Sequence, residues 1–203
     1  LGAGVNVAQV EAAETTGGSN FEFNPANVGI SSNRVWYTGT SGAAVQGYPN
    51  AVGSGSAHAD DVAKRFFGTV FYSGTNAGLA PDANRVDNYH ANRFVTMIYN
   101  GTAFDAKVIN QSFAFTSENP PYDLKYDNFA YNYNKIFVSA VGNSGSPITP
   151  SLSYNSISVA AYGGGSAVGP TSDGRCKPDI TAEGSFTSYS TPIVAGCATI
   201  LVQ

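Results

Sequence analysis

The chain has 203 residues, 12% of them charged, a formal net charge of −4 and a pI near 5.0. This length suits one domain with a sizeable core, and the low, net-negative charge leaves no basic stripe for nucleic acid or an anionic membrane surface. The longest apolar stretch, Ile193 to Val202, is interrupted by Gly196 and Thr199 and is too short to span a bilayer.

Taken in chain order, Gly4 to Glu11 (GVNVAQVE) reads as a buried strand with Glu11 near its C-terminal end. Ala12 to Ser56 is rich in Gly, Ser, Asn and Thr and reads as loop, with Arg34 to Tyr37 its one plausible strand. His58 to Phe67 places Ala59, Val62, Ala63, Phe66 and Phe67 at helical spacing, with acids in its first turn and bases in its last, so His58 opens a helix. A short strand is expected over Asn84 to Asp87 and a helix over Ala91 to Tyr99, where Val95, Thr96 and Ile98 also allow a strand.

Further on, Ala106 to Phe115 reads as a strand, Tyr122 to Asn134 as a helix after Pro120 and Pro121, and Lys135 to Val141 and Ile157 to Ala161 as buried strands. Strands alternating with helices predict an α/β fold with a mostly parallel sheet and helices on both faces. In such sheets sites lie beyond the C-terminal strand ends, where Glu11 and Asn143 fall. Cys176 and Cys197 are as readily free and buried as paired.

The richest segment is Phe186 to Gly196 (FTSYSTPIVAG), where Ser188 stands just before an apolar helix opened by Pro192. Free N–H groups and the dipole at a helix start favour negative charge, which suits a nucleophile whose attack creates an oxyanion. By itself the pattern fits an N-cap serine on a buried helix better than a nucleophile. His58 alone reads as a surface or capping histidine, and Asn143-Ser144-Gly145 as a turn.

Together these segments resemble the subtilisin-like peptidase family. Thr187 through Gly196 matches every defined position of its Gly-Thr-Ser-x-Ser/Ala-Thr-Pro-x-Val-Ala-Gly motif, with Phe186 replacing the usual Gly. Ser56 to Ala63 keeps the His, Val and Ala of His-Gly-Thr-His-Val-Ala-Gly, and Ala77 to Ala83 is similar to the turn that follows that helix. Phe137 to Gly145 resembles Val-x-Ala-Ala-Gly-Asn-x-Gly, and Val108 to Ala114 resembles Val-Ile-Asn-x-Ser-Leu-Gly. Val5 to Glu11 resembles Val-x-Val-Ala-Val-Ile-Asp, with Glu11 where the Asp is expected. The sedolisin family fits less well, because it replaces the His with Glu and has an Asp four residues later, where this chain has His58 and Val62.

The resemblance implies a three-layer subtilisin-like catalytic domain over residues 1–203, C-terminally truncated because the chain ends soon after the serine. It implies a serine endopeptidase with Ser188 as nucleophile, His58 as base, Asn143 in the oxyanion hole and Glu11 as acid, Glu14 being the alternative. Ser112, Phe113 and Ala114 would bind substrate main chain, and Ala140, Val141 and Gly142 would wall the pocket before the scissile bond, Gly142 leaving it open. No organic or redox cofactor is implied. Structural calcium is common in the family, but no clustered acidic loop assigns a site here. The expected partner is a peptide or protein substrate, without nucleic acid or membrane, and the protein is expected to be a secreted or otherwise extracytoplasmic monomer whose leader lies outside this sequence. The rival reading is an inactive pseudoprotease that binds peptide or a partner, suggested by Glu11, Ala59 to Asp61, Lys64 and Phe186. A nucleotide site at Leu1 to Gly4 lacks the GxGxxG that it would need.

Overall fold

A computed structural model describes residues 1–70 and 77–203. In chain order the elements are β1 (Asn6–Glu11), β2 (Asn20–Glu22), α1 (Pro25–Val28), β3 (Val35–Thr38), β4 (Val45–Gln46), β5 (Ser54–Gly55), α2 (Ala57–Phe66), β6 (Arg85–His90), α3 (Ala91–Asn100), β7 (Val108–Gln111), α4 (Pro120–Tyr133), β8 (Ile136–Ala140), β9 (Ser156–Tyr162), β10 (Ile180–Glu183) and α5 (Thr187–Leu201). The main sheet has the order β10-β9-β8-β7-β1-β6-β3-β4 and is parallel except for the antiparallel edge strand β4.

β1 lies in the middle of the sheet and is buried on both faces, which is why it reads as a nearly continuous apolar run. Successive side chains alternate between two cores. Val5, Val7, Val108 and Val138 pack with Ala63, Phe66 and Phe67 of the α2 region and Ala195 and Ala198 of α5. Ala8, Val10, Ile109 and Phe137 pack with Phe94 and Ile98 of α3 and Tyr126 and Phe129 of α4. By the same alternation Gln9 and Glu11 face α2 and α5. Burying one ring such as Phe66, which is wholly inaccessible, contributes about 2–3 kcal/mol. α2 and α5 meet at Gly196, where an added Cβ would lie 3.4 Å from Phe66 O and 2.7 Å from the Cβ of Leu79 in the segment after α2.

The region read as loop, Ala12 to Ser56, holds more structure than its composition suggests. β2 and β5 pair in a separate two-stranded parallel sheet, and α1 is capped by Asn24. These pieces are too short to show a period and depend on distant partners: Tyr37 Oη donates to Phe23 O at 2.9 Å, and Phe23 N donates to Asn88 Oδ1 at 3.1 Å. Asp60, in the first turn of α2, accepts from Asn24 N and from Asn27 Nδ2, each at 2.6 Å.

Other differences are local. The short strand expected from Asn84 runs on to His90, and the expected Ala106 to Phe115 strand pairs only over Val108–Gln111, so that Ser112 to Ala114 leave the sheet. β10 has little apolar character and was not anticipated. α4 starts at Pro120, with its prolines in the first turn, where a missing N–H breaks no helical bond. α5 is not opened by Pro192. It begins at Thr187 and carries Pro192 in its interior, so Ser188 belongs to its first turn. Cys176 and Cys197 are unpaired and both exposed. Among the described residues no helix is long and apolar enough to cross a membrane.

Candidate active site

The parallel strands present their C-terminal ends along one edge, and the singled-out residues gather there. Glu11 ends β1, Ser112 follows β7, and Asn143 lies just beyond β8. His58 enters from the first turn of α2 and Ser188 from the first turn of α5.

Glu11 is completely buried, and its Oε2 lies 2.7 Å from His58 Nδ1. Burial pushes this carboxyl above its ordinary 4.5, while the charge and hydrogen bond of His58 and the amide of Gln9 pull it back. Burial disfavours the His58 imidazolium, but the Glu11 carboxylate outweighs it, so the ring titrates above its ordinary 6.5. Glu14, the alternative acid, is directed elsewhere. Its Oε1 accepts from Ser56 Oγ at 2.6 Å and from His58 N at 3.3 Å, so it supports the helix cap rather than the ring. Ser56 is the N-cap itself and accepts from Ala59 N at 3.1 Å.

Ser188 Oγ donates to the main-chain O of Ser112 at 3.3 Å, and Ser112 Oγ donates to Ser188 O at 2.8 Å. Asn110 Nδ2 in turn donates to Ser112 Oγ at 3.0 Å. Tyr189 brings its ring to 5.9 Å from the His58 ring, centroid to centroid, while the Arg65 guanidinium lies 4.2 Å over that tyrosine. The base-bearing ring thus lies beside the turn that carries Ser188.

Asn143 Oδ1 accepts from both Thr187 N and Thr187 Oγ1 at 2.9 Å. This orients the side-chain amide and leaves Nδ2 as its donor. Tyr189 N and Ser190 N reach Phe186 O, so Ser188 N is the first-turn donor of α5 for which no acceptor is found among the described residues.

Ser112 and Phe113 are buried, whereas Ala114 is exposed. Ala140 ends β8, and Val141 N still donates to Val159 O at 3.1 Å. Gly142 has φ +105°, and a Cβ there would stand 3.6 Å from both Ala167 and Ile148. Its conformation demands glycine, a stronger constraint than the openness of a pocket. Gln9 was missed by sequence reasoning, although a polar residue between Val7, Ala8 and Val10 on a doubly buried strand was the available signal. Among the described residues no group of three or more His, Cys, Asp or Glu side chains is arranged to hold a metal ion.

The parallel sheet flanked by helices and the residues collected at its C-terminal edge define an α/β architecture of the subtilisin-like kind. The subtilase family profile matches residues 38–203, and the chain belongs to this family of serine peptidases. The match starts after β1, so Gln9 and Glu11 lie outside it. Among solved structures the chain is similar to the S41 psychrophilic protease, at 22% identity and a TM-score of 0.70, covering 98% of this chain and 77% of that one. Sphericase is similar at 21% identity and a TM-score of 0.67, with the same coverage of 98% and 77%. A protease from Pseudoalteromonas arctica PAMC 21717 is similar at 18% identity and a TM-score of 0.62, covering 98% and 78%. No curated protein sequence matches the chain.

Proposed function

We propose that the protein is a serine endopeptidase in which Ser188 is the nucleophile, His58 the general base, Glu11 the acid and Asn143 an oxyanion donor. The observation that carries this reading is the 2.7 Å contact between His58 Nδ1 and a fully buried Glu11 carboxylate, on a ring beside the turn that bears Ser188. A proton held on Nδ1 by Glu11 leaves Nε2 unprotonated and able to take the serine proton. On substrate binding the Ser188 hydroxyl turns from Ser112 O toward the ring. It attacks the peptide carbonyl, and His58 then returns the proton to the leaving amine.

The oxyanion is received by Asn143 Nδ2 and the Ser188 N–H, the donors left over in this turn. The residues from Ser112 to Ala114 follow β7 at its C-terminal end and hold the substrate main chain as an added strand. Recognition of main chain requires no chain terminus, which favours endopeptidase action. The substrate class is therefore unfolded or extended segments of peptides and proteins, which an extracytoplasmic peptidase would meet.

A second reading, a peptide-binding pseudoprotease, is favoured by the hydroxyl of Ser188 donating to Ser112 O. The two are separated by labelling the protein with a fluorophosphonate and mapping the modified peptide by mass spectrometry, alongside digestion of a denatured protein. Labelling at Ser188 that is lost in Ser188→Ala and in His58→Ala, with internal cleavage products, supports the peptidase. Folded protein that neither labels nor cleaves supports the pseudoprotease.

A further inference from the structure

We infer that Gln9 is a positioning residue for the acid and base, holding the Glu11 carboxylate and the helix that bears His58 at a set separation. The inference rests on the roles proposed for Glu11 and His58. Gln9 is fully buried at a β1 position of the same parity as Val5 and Val7, where the family pattern that β1 resembles has valine. Apart from Val10, which replaces one apolar residue of the pattern by another, the departures are Gln9 and Glu11, which fall two residues apart on one face of one strand.

The contacts give this pairing its chemistry. Gln9 Nε2 donates to Glu11 Oε1 at 2.9 Å and to Ala59 O at 2.9 Å, which uses both of its hydrogens. The amide orientation is dictated, since a flipped amide would set its oxygen against a carboxylate and a carbonyl, both acceptors. Gln9 Oε1 is itself buried with no partner among the described residues. Both hydrogen bonds of the group are thus made through its NH2.

Glutamate has one more rotatable bond than aspartate, so its carboxylate needs more constraint to present one oxygen to an imidazole. Here each oxygen has its own donor, His58 on Oε2 and Gln9 on Oε1. The second bond of Gln9 reaches the residue immediately after His58, so one amide fixes both the acid and the backbone of the base. Of the other charged groups near this pair, Glu14 acts by its charge on both Glu11 and His58, and Asp61 of α2 acts on His58.

The test compares the parent chain with Gln9→Met, which keeps volume but has no donor, and with Gln9→Val, each made with Glu11 and with Glu11→Asp. With Glu11 present, kcat should fall on the order of 10- to 100-fold with KM within about twofold, the loss expected from a small misplacement of catalytic groups. The low-field proton resonance of His58 Nδ1–H should shift or broaden. In the Glu11→Asp background, whose shorter carboxylate no longer reaches the amide, the same Gln9 changes should alter kcat less than threefold. Unchanged kcat and an unmoved resonance would overturn the proposal, as would an equal loss in both backgrounds. Should Gln9→Val not fold, Gln9→Met still decides the matter by the resonance. Failure of the underlying reading looks different: the folded parent would then neither label nor cleave, or Ser188→Ala and His58→Ala would retain its activity, whatever stands at position 9.

Discussion

Ser112 and Ser188 exchange hydrogen bonds, each hydroxyl donating to the other's main-chain oxygen, at 2.8 Å from Ser112 and 3.3 Å from Ser188. Pro192 explains half of this arrangement. It sits four residues after Ser188 inside α5 and has no N–H, so the carbonyl of Ser188 loses its helical partner and takes the Ser112 hydroxyl instead. The helix that carries the serine is thus bolted to the end of the strand that is proposed to hold the substrate.

Ser112→Ala should therefore orphan the Ser188 carbonyl, destabilising the protein by about 1–2 kcal/mol in urea unfolding and lowering kcat by about tenfold. In Pro192→Ala the restored N–H can bond to that carbonyl, so Ser112→Ala should cost less there. Equal costs in both backgrounds would show that the two residues are uncoupled.

The two acidic candidates should separate cleanly. Glu11→Gln removes the carboxylate from the His58 ring and should lower kcat on the order of 10⁴-fold, as loss of the orienting acid does in related chemistry. Glu14→Gln changes only the cap formed with Ser56 Oγ and His58 N, and should keep kcat within a few fold of the parent while costing roughly 1 kcal/mol. Steady-state kinetics on a peptide substrate reads both, and a large loss with Glu14→Gln would move the acid to that residue.

The pH profile should carry the mark of the buried pair. His58 must be neutral to act as base, and its pKa is raised by Glu11, so kcat/KM should rise with pH through a value above the ordinary 6.5. Glu11→Gln removes the charge that favours the imidazolium and should move that limb to lower pH. The stability linked to the raised pKa of His58 has the opposite trend: it is fully present below about 6.5 and is lost as pH rises through the folded value. An acid limb that does not move in Glu11→Gln would contradict this account.

A second buried carboxyl, Glu22 on β2, is raised from 4.5 to about 7, chiefly by desolvation that Gly53 N and Asn50 Nδ2 only partly offset. Its folded pKa lies above the unfolded one, so stability falls as pH rises from about 4.5 to about 7 and then levels off. Glu22→Gln should escape this loss and be more stable than the parent by about 2 kcal/mol at pH 8, with little difference at pH 4. Urea unfolding at pH 4, 6 and 8 measures the gap, and equal gaps throughout would refute it.

The elements legible in the sequence are those whose residues interact with near neighbours. The helical spacing of Ala59, Val62, Ala63 and Phe66 places α2 to within one residue of His58 to Phe67, and the apolar runs of β1, β8 and β9 announce strands buried on both faces. β2, β5 and β10 were invisible because two to four residues carry no period, and their pairing depends on chain far away in sequence. Pro192 misled the reading of α5, since a proline that fits a helix start also fits an interior site where a side chain replaces the missing bond.

For the site, the family resemblance of separated motifs singles out Ser188, His58, Asn143 and Glu11 as candidates, whereas alone Ser188 reads as a cap, His58 as a surface residue and Asn143 as a turn. The choice of Glu11 rather than Glu14 beside the imidazole, the donor left open on Asn143, the resting partner of the Ser188 hydroxyl and the presence of Gln9 were decided by tertiary structure alone. Each depends on which donor meets which acceptor across tens of residues of intervening chain. Hydrogen bonds act over about 3 Å, a distance that sequence order does not encode and that only the packing of β1, α2, β7 and α5 against one another supplies.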